Sequence, residues 1–217
     1  MNLNNKINLN SDSPKSKNAL IIFTRNPELG KCKTRLGKTI GNVAALNIYK
    51  YLLEHTATIS QDVNADKFVF YSENIIKNDL WNDDVFNKKL QTGSDLGERM
   101  ENAFKNMFQS HYEKVIIIGS DLLDLKTEYI ETAFQLLQKN DFVIGPAKDG
   151  GYYLLGMKNL CPILFKNKNW GTSTVLNDTL KDIQNSTVAL LKELNDIDVF
   201  DDITPYQQLK TFYNSND

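Results

Sequence analysis

The sequence predicts an α/β fold with a mixed sheet, from three observations. Short β-branched and aromatic runs recur along the chain, helical periods separate them, and a late β-rich interval interrupts the alternation. The first run, Ala19 to Thr24 (ALIIFT), is continuously apolar, as a strand buried on both faces must be. Lys67–Tyr71 (KFVFY), Lys114–Ile118 (KVIII) and Asp141–Ile144 (DFVI) supply further strands of a central sheet. The clearest helix starts near Asp95, where Leu96, Met100, Ala103, Phe104, Met107 and Phe108 recur on one face of a 3.6-residue period. Thr127 is placed to cap a second helix with Ile130, Phe134 and Leu137 inward, and Thr174 a third with Leu176, Leu180 and Ile183 inward. Thr204 followed by Pro205 signals the start of a last helix. The β-rich interval is Gly150–Gly156 together with Val188–Leu191.

Composition narrows the function. The 217 residues carry 25 Lys plus Arg against 27 Asp plus Glu, a net charge of −2. That balance excludes a general electrostatic grip on nucleic acid and leaves room for a local anion site. A chain of this size buries roughly 70% of its unfolded surface and needs no covalent staple. Cys32 and Cys161 lie far apart, and two histidines are poor material for a His-based metal site. Met1 to Lys17 reads as a flexible polar tail ahead of one domain over residues 18–217. No apolar run suits a signal peptide or a membrane span, so a cytoplasmic location is expected. The oligomeric state is left open, a homodimer included.

Four stretches of unusual composition fall where strands end, and open α/β sheets gather ligands there. The loop TRNPELGKCKTRLGK after the first strand brings Lys31, Lys33, Arg35 and Lys38 within eight residues, with Thr24 and Arg25 at its start. One such charge about 4 Å from a phosphate is worth ~1 kcal/mol in water and ~4 kcal/mol at an effective dielectric of 20, so several make a pyrophosphate clamp. Gly30 to Thr39 mimics a P-loop, but six residues separate the glycines where the phosphate nest requires four. The stretch GSDLLDL places Asp121 just past a buried strand, where a carboxylate can hold a divalent cation against phosphate oxygens; Asp124 is placed to support the turn. In GPAKDGGYYLLG, Asp149 precedes Gly150 and Gly151, with Tyr152 and Tyr153 alternating beyond, which reads either as a pocket floor or as a plain β-turn. In LNDIDVFDD, Asp196 and Asp198 stand in D-x-D spacing, both on one side if the segment is extended. Two smaller segments complete the set. QTGSDLGERM puts Gln91, Gly93, Asp95 and Arg99 at a helix start, suited to an anion or a base edge, and NWGTSTV holds Trp170, which reads equally as part of an acceptor loop or as partial core.

In this order, FTRNPELGKCKTRL, QTGSDLGERMENAF, IIIGSDLLDL, FVIGPAKDGGYYLLG, NWGTSTVL and LNDIDVFDDI closely resemble the radical-SAM/selenodomain-associated transferases, small glycosyltransferase-A-like proteins of bacteria. The resemblance runs from about Asn18 to Phe212. It implies the nucleotide-diphospho-sugar transferase (GT-A) fold, a Rossmann-like α/β/α sandwich, with Lys31, Lys33 and Arg35 on the nucleotide phosphates. It further implies a Mg²⁺ or Mn²⁺ ion on Asp121, joined by Asp196 and Asp198. One departure is the Leu122–Leu123 pair, where relatives carry a proline.

The leading expectation is a metal-dependent glycosyltransferase using a nucleotide sugar and a small-molecule acceptor. Asp121 and Asp149 are its catalytic acids, and Gly150, Gly151, Tyr152 and Trp170 line its acceptor pocket. A nucleotidyltransferase, in which a phosphorylated acceptor attacks an NTP and releases pyrophosphate, needs the same clamp and metal. A third alternative is a nucleotide-binding module without chemistry. Cys32 is read as a bystander beside Lys31 and Lys33, which would lower its pKa.

Overall fold

The computed structural model describes residues 16–213. Most of the expected tail therefore lies outside the described residues. Ser16 and Lys17, counted with that tail, are tied down: the Ser16 amide donates to Asp66 at 3.2 Å, and the Lys17 carbonyl accepts the Glu113 amide at 2.8 Å.

A seven-stranded sheet organises the chain: β1 Asn18–Thr24, β2 Asp66–Tyr71, β3 Phe86–Leu90, β4 Lys114–Ile118, β5 Phe142–Pro146, β6 Tyr152–Met157 and β7 Val188–Leu190. Their spatial order is β3-β2-β1-β4-β6-β5-β7. Only β6 runs against the rest, pairing antiparallel with both β4 and β5. Connecting them are helices α1 Thr34–Ile40, α2 Asn42–Gln61, α3 Leu96–Gln109, α4 Thr127–Leu136, α5 Val175–Asp182 and the short α6 Phe200–Ile203.

Strand alternation sorts the apolar side chains into two cores. Leu20, Ile22, Val69, Tyr71, Ile116 and Ile118 face one way, against Tyr49 and Leu53 of α2 and Ile130 and Phe134 of α4. Ala19, Ile21, Phe68, Phe70, Val115 and Ile117 face the other, against Met100, Phe104 and Met107 of α3 and Ile183 after α5. The sheet is thus sandwiched between helical layers. A third cluster clamps Ile197, Ile203 and Leu209 onto Leu36, Ala45, Ile48 and Leu52. Each fully buried aliphatic side chain of this kind contributes about 1.5–3 kcal/mol, and here they bring the late acidic segment back over α1 and α2.

Three local expectations need correction. Lys126, not Thr127, is the N-cap of α4; the Thr127 hydroxyl instead donates to the Ile59 carbonyl at 2.8 Å, joining α4 to the end of α2. Thr174 precedes α5 but makes no side-chain capping bond. Thr204 closes α6 rather than opening a helix, and the chain continues past Pro205 as a 3₁₀ turn, Gln207–Phe212.

Candidate active site

Beyond β1 the chain crosses to β2 and β3 on one side, while β4 leads to the strands on the other. The loops leaving β1 and β4 therefore emerge side by side at the carboxyl edge, where a crevice must open. From the first loop comes Lys33, in a left-handed conformation (φ 49°) at the start of α1; from the second comes Asp121. Their side chains meet, Nζ to Oδ2, at 2.9 Å, with Lys33 only 8% exposed. Burial works to strip the Lys33 proton, but the charge and hydrogen bond of Asp121, with Asp198 beyond, raise its pKa and keep the ammonium charged.

Inward-facing polar groups hold these loops. The Tyr49 hydroxyl accepts from the Arg25 amide at 2.9 Å and donates to the Arg25 carbonyl at 3.1 Å. Asn26, buried, ties the β1 loop to the β2 loop: Oδ1 accepts the Glu73 amide at 3.0 Å and Nδ2 donates to the Asn74 carbonyl at 2.8 Å. Neither residue was singled out from the sequence, and only the polar character of Asn26 beside a buried strand signalled it.

Two cavities share Phe23, Leu96, Gly119 and Asp121. The larger, about 830 Å³, is lined by Thr24, Arg25, Lys31, Lys33, Arg35, Gln91, Asp95 and Arg99. Gln91 is oriented there: its amide nitrogen donates to the carbonyls of Thr24 (3.1 Å) and Phe70 (2.9 Å), which leaves Oε1 as an acceptor. Gly93 is not in the lining; its carbonyl accepts from Arg99 Nε at 3.1 Å, and its φ of 141° lets the backbone pass within contact of α3. Asp95 caps α3 by accepting the Glu98 amide at 2.8 Å, while Glu98 takes the Ser94 amide at 2.7 Å. Two carboxylates thus already occupy that helix start, a setting for a base edge rather than a phosphate. Lys31 is exposed and paired with Glu28 at 2.6 Å, and Lys38 lies exposed at the far end of α1, outside both cavities. Cys32 is buried, and burial raises its pKa, outweighing the neighbouring cations that the sequence reading emphasised.

The second cavity, about 240 Å³, is lined by Asp121, Asp149, Gly151, Tyr152, Trp170 and Asp196, among apolar side chains. Its floor is the β5–β6 hairpin, so the turn and the pocket readings describe the same residues. The Gly151 amide donates to Asp149 Oδ1 at 2.8 Å, and the Gly150 amide to the Ala147 carbonyl at 3.0 Å. Gly150 itself faces away, its carbonyl accepting the Leu176 amide at 2.9 Å and docking α5 onto the hairpin.

The late acids arrive through Ile197, which is fully buried and whose amide donates to the Asp121 carbonyl at 3.0 Å. Asp196 lines the smaller cavity and Asp198 the larger, where Arg35 pairs with it. Burial, then the charges of Asp121 and Asp149, pushes the Asp196 pKa up to about 6. Among the described residues no three His, Cys, Asp or Glu side chains converge as a metal cage. Mg²⁺ commonly takes only one or two carboxylates and completes its shell with phosphates and water. Hard oxygen donors whose mutual repulsion already raises one pKa fit that mode.

Asp202 fixes this segment, accepting from Asn195 Nδ2 at 2.9 Å and from the amides of Asp198 (2.9 Å) and Val199 (2.8 Å). Burial opposes its ionisation, but these bonds prevail and lower its pKa. The stabilisation is therefore complete above the ordinary carboxylate pKa and disappears as pH falls through the lowered folded value. Asp202→Ala should cost about 1–2 kcal/mol at pH 7, with the gap to wild type closing in acid. Urea titrations at several pH values measure it; a pH-independent gap would refute the role of the charge.

An open sheet with a charged crevice at its switch point places the protein among the α/β folds that bind ligands beyond their strand ends, and its mixed seven-stranded sheet is that of the nucleotide-diphospho-sugar transferase fold. Within it, residues 55–172 match the family described as "Uncharacterized protein conserved in bacteria (DUF2064)", and the chain belongs to that family. A protein from Desulfovibrio desulfuricans G20, provisionally described as a nucleotide-diphospho-sugar transferase, is similar at 32% identity and a TM-score of 0.82, covering 90% of this chain and 88% of its own. Two further structures share the fold at 12% identity and a TM-score of 0.58. A cytidylyltransferase of Leptospira borgpetersenii covers 91% of this chain and 88% of its own. The 4-diphosphocytidyl-2C-methyl-D-erythritol synthase of Anaerococcus prevotii DSM 20548 covers 89% and 96%. No curated protein matches the chain.

Proposed function

We propose that this protein is a transferase that moves a glycosyl group from a nucleotide-diphospho-sugar to a small acceptor, with Mg²⁺ or Mn²⁺ at Asp121 and Asp196. The observation that carries the reading is the division of one crevice into a lobe where cations stand among carboxylates and an acidic, apolar-walled lobe without a cation, with Asp121 in their common wall. Arg25, Lys33, Arg35 and Arg99 take the diphosphate, and the Gln91 acceptor faces a donor group of the base or ribose. Asp198 stands by Arg35 on the phosphate side. When bound, the metal ion offsets charge on the departing diphosphate. The acceptor oxygen attacks the anomeric carbon, the bond from that carbon to the phosphate oxygen breaks, and the acceptor proton passes to Asp149, whose Oδ2 is not taken by the turn. A nucleoside diphosphate leaves. Free Cys32 and Cys161 and the lack, among the described residues, of a helix long and apolar enough to cross a membrane go with a cytoplasmic enzyme.

A melting panel of nucleotide sugars and NTPs, with and without metal, tests this. Saturation at 100 times Kd should add about 2.7 kcal/mol for one donor, in a metal-dependent manner. Release of nucleoside diphosphate supports glycosyl transfer. Pyrophosphate released from an NTP would instead identify nucleotidyl transfer, the class of reaction named for the Leptospira cytidylyltransferase.

A further inference from the structure

Resting on the transferase reading, we propose that the smaller lobe binds an uncharged, hydroxyl-bearing acceptor with an apolar face, and rejects phosphorylated acceptors. The argument is one of sign and shape. Among the residues lining this lobe three are carboxylates, Asp121, Asp149 and Asp196, and none is Lys or Arg. The adjoining lobe has Arg25, Lys31, Lys33, Arg35 and Arg99 set among Glu28, Glu73, Asp95, Asp121 and Asp198, so cationic donors occur there and not in the smaller lobe. A phosphate needs charge-assisted donors, and the protein supplies them only on the donor side; the charge of a metal ion at Asp121 and Asp196 is taken up by the donor diphosphate, which leaves Asp149 facing the acceptor. A neutral hydroxyl, by contrast, donates to a carboxylate at little cost, and several can do so at once. The Lys33 ammonium at the junction lines the other lobe and is already paired with Asp121.

The remaining wall is Phe23, Leu96, Met100, Tyr152, Trp170 and Val175, which suits the apolar face of a hydroxylated ring. Trp170 packs against Gly97 so closely that a Cβ there would lie 2.6 Å from the indole nitrogen, which seats the ring at the start of α3. The Tyr152 hydroxyl meets the Met100 sulfur at 4.0 Å, a weak acceptor, so an incoming oxygen is a better partner. Asp149 lines the same lobe, and the Gly151 amide occupies only its Oδ1.

The sequence has two tryptophans, and Trp81 is 1% exposed, so fluorotryptophan labelling of the full chain gives two ¹⁹F signals of which Trp170 reports on the lobe. The probes are phenyl β-D-glucoside and its 6-phosphate. The uncharged glucoside should move the Trp170 signal and leave that of Trp81, and the phosphate ester should bind at least about tenfold more weakly. Asp149→Asn should narrow that difference by roughly threefold. Equal or tighter binding of the phosphate ester overturns the inference, as does a Trp170 signal that neither probe moves. Donor binding is read separately, by the melting shift with nucleotide sugars. Nucleotide binding combined with a preference for the phosphate ester defeats this inference alone; absence of nucleotide binding with the neutral preference intact defeats the transferase reading alone.

Discussion

Asp121→Asn should lower turnover by about 10²–10³-fold, the scale on which loss of one preorganised electrostatic group is felt at the transferred centre. The amide keeps the shape but removes the charge that faces both lobes. It also leaves the Lys33 ammonium, 8% exposed, without its 2.9 Å counter-charge. For a pair buried on both sides that loss would be about 3–5 kcal/mol. Asp121 is 34% exposed, and Asp198 contributes to the field at Lys33, so about 1–2 kcal/mol is the expected cost in stability. Lys33→Met in the same background should restore part of that stability and none of the activity, because it removes the stranded charge and, with it, the proposed contact to phosphate. Single and double variants, compared by urea titration and by kcat/KM, separate the two effects. Wild-type turnover in Asp121→Asn would remove this residue from the chemistry.

Gly150→Ala should be the most damaging single-methyl change in the site. At φ +90° an L side chain is strained, and its Cβ would lie 2.3 Å from the Ser173 carbonyl oxygen, a backbone atom that cannot swing aside. Strain and overpacking together cost about 2–4 kcal/mol, or roughly 5–10 °C in Tm for a chain of this size. Activity should fall as well, since the hairpin carries Asp149 and the same contact seats the loop from Trp170 to α5. Gly171→Ala is the control: its φ is +79° but nothing lies within 4 Å of the added carbon, so only about 1–2 kcal/mol of strain is expected. Equal losses in both variants would show that the Ser173 contact carries no weight.

Legibility in the sequence followed from how each element is stabilised. β1, β2 and β4 could be read because burial on both faces demands unbroken apolar runs, and α3 because its stripe is regular and Asp95 caps it. β3 escaped: FNKKL lies at a sheet edge with one buried residue, and the stem of Lys88 takes the place of an apolar side chain. α2 escaped for a different reason. It starts at Gly41 without a side-chain cap, and its buried face includes Thr56 and Ser60, which blur the apolar period. In the site, the basic loop and the acids of the strand ends were visible as compositions. What was not visible was which charges would meet. The pairing of Lys33 with Asp121 and of Arg35 with Asp198 depends on the neighbouring exits of β1 and β4 and on Ile197 packing against α1 and α2.

The order in which the chain builds the crevice separates its two halves in a way evolution or design can use. Apart from Asp198, the walls of the basic lobe come from residues up to Asp121. Half of the acidic lobe's lining comes from the antiparallel hairpin and the loop around Trp170, both encoded after it. Under the proposed reaction, exchanging residues 147–175 between relatives should therefore re-specify what receives the group while the choice of activated donor stays with the recipient, as two cassettes that share one wall.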